Sequence, residues 1–355
     1  MIHPVSRYVS IITVIVILVI LVWTWKRREF VRVLDCYLKR NLRENGGVLD
    51  RVIFSVRTED PDDLAYLDEL LASHAKYSKY VPGPGYRRYV GSWEAVQDPD
   101  AVYIKIDDDV IFIEDSTIAA LTKRLEDNPQ YFAVSANVIN NPLLSWLHYG
   151  LGVYEPFWPE VSPPETASPV SWRTSALPDF DGPPDGPPTF AKDGSMPAPY
   201  EGHRWLPVRP SNNVDVASTP ASTLTYDPFG PGLLNWAAAA QTHASFLSHL
   251  EKNETDLYRF NLWDPAYARL SINFLAIRGR DVMDVFPFPK PDDEDYLTRV
   301  RPREVGRHVV VDGGGLAAHF AFRSQRIAHE EKALGWTDFL GRYGDYAEEM
   351  MVVYM

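Results

Sequence analysis

The chain has a single cysteine, Cys36, among 355 residues, so it can close no intrachain disulfide and offers no cysteine-based zinc site. Positive charge is also scarce. Only 35 lysines and arginines stand against 48 aspartates and glutamates, a formal net charge of -13. With no basic stripe to displace counterions, a nucleic-acid backbone is excluded as partner, and an anionic substrate needs a local cation to bind. Internal repeats are lacking too. Apolar material is plentiful: 45% of residues are hydrophobic and 13% aromatic, enough to bury the core of one large domain or two small ones.

One apolar run is long. Tyr8–Trp25 is interrupted only by Ser10, Thr13 and Thr24, and Trp23 and Trp25 suit an interface. Hydropathy predicts a single-pass transmembrane helix over 8–25, preceded by a short tail (1–7) and followed by a stem (26–50). The rival, a cleaved signal peptide, lacks a small-x-small site after the run. Lys26, Arg27 and Arg28 after the span would hold the large domain in the cytosol, whereas the sequon Asn253-Glu254-Thr255 matters only in a secretory lumen. On this reading Cys36 lies beside the membrane, placed to link two copies or to carry a lipid.

Beyond the stem, "RVIFSV" (51–56) reads as a buried strand. A helix follows, with Asp60 as cap, Pro61 in its first turn, and Leu64, Leu67, Leu70, Leu71 and His74 at helical spacing. Residues 76–100 read as a loop and 101–106 as a second strand. Asp115 or Ser116 then caps a helix with Ile118, Leu121, Thr122 and Leu125 on one face, before "YFAVSANVI" (131–139), a third strand. Strand, helix, strand, helix, strand implies a parallel sheet with crossover helices, whose ligands bind outside the carboxyl ends of the strands. Residues 155–232 hold many of the 29 prolines together with Trp158, Trp172, Trp205, Phe180 and Tyr200: either a linker or a loop-rich insertion packed by aromatics. Helical spacing returns at 233–253.

The second strand ends in Asp107-Asp108-Asp109, between "VYIKI" and "VIFI". Adjacent carboxylates repel by roughly 1 kcal/mol per pair in water, and by more at lower dielectric. In an extended strand Asp107 and Asp109 face one way and Asp108 the other, which makes half of a hard-cation site for Mg²⁺ or Mn²⁺; the alternative is a solvated acidic turn. A second acidic group lies in "KPDDEDYLTRV" (290–300), where Asp292 or Asp293 can cap a helix and Glu294 or Asp295 can fill its first turn, or one of them can act as a general base. Farther on, "RHVVVDGGGLAAHF" reads as a strand, a glycine turn and His319, which is either a core histidine or a third metal ligand. Gly313 to Gly315 match phosphate-loop patterns poorly.

In order, these features resemble the GT-A glycosyltransferases. The runs "YIKIDDDVIFI", "VSANVINNPLLSWLHY", "TYDPFGPGLLNWAAAAQTHASFL" and "SINFLAIRGRDVMD" are similar to fungal membrane-anchored glycosyltransferase-like proteins. The resemblance implies an α/β, Rossmann-like, mostly parallel sheet with flanking helices over 51–345 and a short tail at 346–355. It implies a Mn²⁺- or Mg²⁺-dependent transfer of a sugar from a nucleotide donor, a UDP-sugar before a GDP-sugar, to a glycan or glycoprotein, with inversion, by a single-pass protein whose domain faces the Golgi or endoplasmic reticulum lumen. Asp109, Asp107 and His319 would hold the metal, with Asp107 and Asp108 also at the donor. Arg57 and Thr58 would lie against the nucleoside, and Asp295, Glu294 or Asp293 would be the base. A fold that binds without catalysis, and a membrane-anchored interaction protein working through the aromatic insertion, are the other classes; a glycoside hydrolase would need its carboxylates spaced across a sugar.

Overall fold

The computed structural model describes residues 15–21, 27–85, 89–165, 171–209, 214–289 and 291–353. The chain runs through β1 (Ile15–Leu21), α1 (Arg27–Asn41), β2 (Arg51–Val56), α2 (Pro61–Ser73), β3 (Tyr77–Tyr80), β4 (Val102–Asp107), β5 (Val110–Ile113), α3 (Thr117–Asp127), β6 (Tyr131–Ile139) and α4 (Pro142–Gly150). The strands β7 (Phe157–Pro159) and β8 (Trp205–Pro207) lie in the proline-rich region. After them come α5 (Pro231–Leu234), α6 (Trp236–Lys252), β9 (Leu262–Trp263), β10 (Phe274–Arg278), α7 (Gly279–Met283), α8 (Asp293–Asp295), α9 (Arg301–Val305), β11 (His308–His319), α10 (Arg323–Ile327) and α11 (Phe339–Val353).

Among the described residues one sheet holds nine strands in the order β3-β2-β1-β4-β10-β6-β11-β5, with β9 also paired to β11. The pairings from β3 to β4 and between β6 and β11 are parallel, while β10 is inserted antiparallel between β4 and β6. β11 also pairs antiparallel with β5 and β9, so the fold is mixed α/β around a mixed sheet, parallel in four of its eight described pairings, where a mostly parallel sheet was expected. Local chemistry supports the elements: the Asp60 carboxylate accepts from the N–H groups of Asp62 and Asp63 at 2.9 and 3.1 Å, and Pro61 occupies the first turn of α2. In α3, by contrast, Ser116 precedes the helix without a side-chain capping bond.

Of the expected membrane span, 8–25, only residues 15–21 are described, and they are not helical. Ile15–Leu21 is a strand, paired in parallel with β2 on one side and β4 on the other, as in Leu18 with Ile53 and Lys105. Residues 1–14 and 22–26 lie outside the described set. No helix among the described residues is long and apolar enough to cross a membrane. A strand at the centre of a parallel sheet is covered on both faces, so its sequence is a continuous Ile/Val/Leu run that hydropathy cannot tell from a span. The expected stem is corrected. Leu34, Leu38 and Leu42, in and just after α1, are fully buried, and Cys36 is half-buried on that helix, its thiol pushed up first by burial. At the other end, α11 replaces the expected tail, with Ala347 buried and Tyr346 4.8 Å from Trp172.

The proline-rich region is packed where it is described. The short β7–β8 pair carries a small cluster of Trp158, Phe180 and Leu206, and Phe190 ties it to α6 through Trp236 at 5.5 Å. The glycine run is not a turn. Gly313 to Gly315 lie inside β11, where the pairing with β6 shifts between Asp312 and Leu316. A Cβ on Gly313 would stand 2.0 Å from the Phe260 carbonyl oxygen, so glycine is required there by close backbone approach, and the run forms no phosphate cradle.

Candidate active site

β4 delivers Asp107 at its carboxyl end, and the tight turn into β5 carries Asp108 and Asp109. β11 ends beside this turn, where the Phe320 N–H donates to the Asp109 carbonyl at 2.9 Å. That register brings His319 Nε2 to 3.2 Å from Asp109 Oδ1. Asp107, Asp109 and His319 each offer a ligand atom within 4.8 Å of the others. Asp108 and Asp109 are buried and Asp107 is half-buried, so the acidic turn is not freely solvated.

Two neighbours fix Asp107. Asn273 Nδ2 donates to its Oδ2 at 3.0 Å, and the Lys105 ammonium contacts its Oδ1. Lys105 is 3% exposed and also donates to the Ile272 carbonyl at 2.7 Å. Burial by itself would lower this ammonium, but Asp107, Asp293 and Glu294 around it hold it above its ordinary value. A lone lysine inside an apolar strand was a readable signal for a buried counter-charge.

The acidic helix start separates into four roles. Asp292 caps α8, accepting from the Asp295 N–H at 2.9 Å. Asp293 is buried and accepts from Trp93 Nε1 at 2.8 Å; burial raises its carboxyl, with Lys105 opposing. Glu294 pairs with Arg269 at 2.6 Å, and burial pushes its carboxyl up to about 7, with Arg269 pulling the other way. Asp295 pairs with Arg299 through both carboxylate oxygens and is not among the residues lining the cleft. Of the three expected candidates for the base, Asp293 and Glu294 line the cleft and Asp295 does not; successive side chains on a helix point about 100° apart, so one acidic run presents its members in different directions.

The cleft has a volume of about 1780 Å³ and is lined by Asp107, Asp108, Asp109, His319, Asp293 and Glu294 together with groups from the insertion and α11. Arg57 and Thr58 follow β2 at the same edge of the sheet but do not line this cleft; Asp60 and Asp63 do. Thr58 serves the start of α2, donating to Asp63 at 3.1 Å and accepting from the Asp60 N–H at 3.1 Å. Sequence reading also missed Arg269 and Asn273, from the segment entering β10, and Asp338 and Arg342, at the start of α11; Asn273, Arg269 and Arg342 act through Asp107, Glu294 and Trp172, which lie elsewhere in the chain.

A divalent cation fits the three ligands. Two carboxylates and an imidazole make an oxygen and nitrogen donor set, and His319 Nδ1 is buried without a hydrogen-bond partner among the described residues. A buried polar atom left unpaired in a well-packed protein calls for an explanation, and a ligand to this ring is one.

No family model matches the chain, and no curated protein matches it. Solved structures with a similar arrangement include 4-diphosphocytidyl-2C-methyl-D-erythritol synthase from Anaerococcus prevotii, at TM-score 0.28 and 14% identity over 35% of this chain and 55% of that one. GalNAc-T7 with UDP, GalNAc and Mn²⁺ is similar at TM-score 0.45 and 8% identity, over 89% of this chain and 45% of that one. CMP:2-keto-3-deoxy-manno-octonic acid synthetase complexed with CTP is similar at TM-score 0.36 and 11% identity, over 86% of this chain and 90% of that one. The chain spans about half the length of the first two. Scores this low carry no inference about chemistry, which rests on the side chains described above.

Proposed function

We propose that the protein is a metal-dependent glycosyltransferase that moves a sugar from a nucleoside diphosphate donor, a UDP-sugar before a GDP-sugar, to a glycan or glycoprotein acceptor. The observation that carries this reading is the convergence of Asp107, Asp109 and His319 on one side of a large cleft, at the carboxyl end of β4.

Asp109 and His319 would hold Mn²⁺ or Mg²⁺ directly, with Asp107 beside them. When bound, the cation supplies Lewis-acid neutralisation of the charge that develops on the departing diphosphate. Lys105 and Asn273 keep Asp107 aimed at the cluster. Glu294, also on the cleft wall, is suited to accept the proton of the attacking hydroxyl, because its carboxyl titrates near neutrality and Arg269 fixes its orientation. A single displacement using such a base would proceed with inversion. Phe229 and Leu233 contribute apolar cover.

The test is hydrolysis of UDP-sugars, and transfer to glycan acceptors, with Mn²⁺ present and then chelated, for the wild type and Asp109→Ala. The reading expects turnover that requires the metal and is lost in the variant. Metal-independent turnover that survives the substitution removes it, and donor binding without turnover on any acceptor would leave a binding protein.

A further inference from the structure

The start of α11 puts two opposite charges on the cleft wall, Arg342 buried and Asp338 half-buried, without letting them satisfy each other. Asp338 precedes the helix and Arg342 lies one turn on, its N–H donating to the Asp338 carbonyl at 3.2 Å. Arg342 is 3% exposed. Its Nε and Nη2 donate to the Trp172 carbonyl at 3.2 and 2.8 Å, and Nη2 also meets Thr174 Oγ1 at 3.3 Å, but Nη1 is buried with no hydrogen-bond partner among the described residues. Asp338 Oδ1 is likewise buried and without a hydrogen-bond partner among the described residues. Burial pushes the Asp338 carboxyl up to about 6 against the pull of Arg342 and Arg204.

Close by, the Glu160 carboxylate is fully engaged, accepting from Tyr200 Oη at 2.6 Å and Arg204 Nε at 2.8 Å, so it forms wall and not receptor. Gly341, also lining the cleft, has open space where a Cβ would stand, and Ala176 and Leu177 add apolar surface. The site shares a frame with the metal cluster: the His243 ring lies 5.7 Å from Phe320, next to His319, and 5.8 Å from Phe339.

We infer that Asp338 and Arg342 form a second polar subsite of the cleft, which takes a pair of hydroxyls on a neutral saccharide, the acceptor of the reaction proposed above, on which this inference rests. Matching the two orphan atoms requires a ligand that donates to a carboxylate oxygen and accepts from a guanidinium nitrogen at once. Adjacent hydroxyls do both. A phosphate would be repelled by Asp338 and an ammonium by Arg342, whereas the C–H face of a sugar ring suits Ala176 and Leu177. The donor also carries hydroxyl pairs, so the experiment separates the two sources.

Binding to the full chain is measured by calorimetry for maltotriose, mannotriose and chitotriose, and separately for UDP with Mn²⁺, using the wild type, Asp338→Asn and Gly341→Leu. Asp338→Asn keeps the shape and removes a half-buried charge, so its melting temperature should hold or rise; Gly341→Leu fills the open space. The inference expects at least one trisaccharide to bind the wild type, both variants to weaken it by about tenfold or more, and UDP with Mn²⁺ to bind all three proteins equally. It is overturned if no trisaccharide binds the wild type, if binding survives in both folded variants, or if UDP binding falls instead. Failure of UDP and Mn²⁺ to bind the wild type would strike the donor reading, a result separate from the saccharide titration.

Discussion

His319 Nε2 stands 3.2 Å from Asp109 Oδ1, joining the last residue of β11 to the turn that leaves β4. The contact depends on backbone register, since the pairing of β11 with β5 shifts between Ala318 and His319 and the next N–H, of Phe320, holds the Asp109 carbonyl. Asp109→Ala and His319→Ala should each weaken Mn²⁺ binding by at least about 100-fold, given that losing even an outer-shell partner costs about 10- to 100-fold. Because both residues would serve one ion on the proposed reading, the double variant should lose less than the sum of the two. Electron paramagnetic resonance titration of Mn²⁺ reads all four proteins.

Lys105→Met should uncouple stability from metal affinity. Removing the counter-charge from a buried carboxylate cluster costs about 3–5 kcal/mol, so the metal-free variant should unfold at lower denaturant concentration. Its ammonium also repels an incoming dication, by several kcal/mol on the order of Coulomb's law at an effective dielectric of about 20, which outweighs the roughly tenfold to 100-fold benefit of holding Asp107 in place. Mn²⁺ should therefore stabilise Lys105→Met more than it stabilises the wild type. Thermal melts with and without Mn²⁺ give the comparison.

Glu294 predicts opposite pH trends for activity and stability. Its folded carboxyl titrates at about 7, above the ordinary 4.5, so between those values the native state keeps a proton that the unfolded chain has released. The stabilisation from this group is complete below 4.5 and is lost as pH rises through about 7. Glu294→Gln should remove that slope, seen as a wild-type-minus-variant difference in unfolding free energy that declines over this window. Transfer activity should climb with pH through about 7 in the wild type and fall by about 10²- to 10⁴-fold in the variant.

Leu18→Pro tests the placement of the N-terminal apolar run. A proline in a strand paired on both sides removes a ladder hydrogen bond, and central strands do not tolerate it. The expected result is a loss of more than about 3 kcal/mol in urea unfolding. A membrane span lying outside the folded domain would leave that transition unchanged.

Much of this architecture was legible because local chemistry and periodicity agree. β2 (Arg51–Val56) and β6 (Tyr131–Ile139) begin and end where their apolar runs do, and α2 carries its cap and its proline in the sequence. The acidic turn was legible for the same reason, carboxylates set between two buried segments. β1 was not, because length and hydropathy describe a covered central strand and a membrane helix alike, and only pairing with β2 and β4 separates them. The choice among Asp293, Glu294 and Asp295 needed the helix phase, and Asp338 with Arg342 needed the docking of α11 against Trp172.

The most direct measurement is anomalous diffraction at the manganese edge from a crystal soaked with Mn²⁺ and UDP. The account predicts a manganese peak within bonding distance of Asp109 and His319, with diphosphate density joined to it inside the cleft. A crystal with UDP bound elsewhere, or with this cluster free of manganese while UDP occupies the cleft, would contradict it.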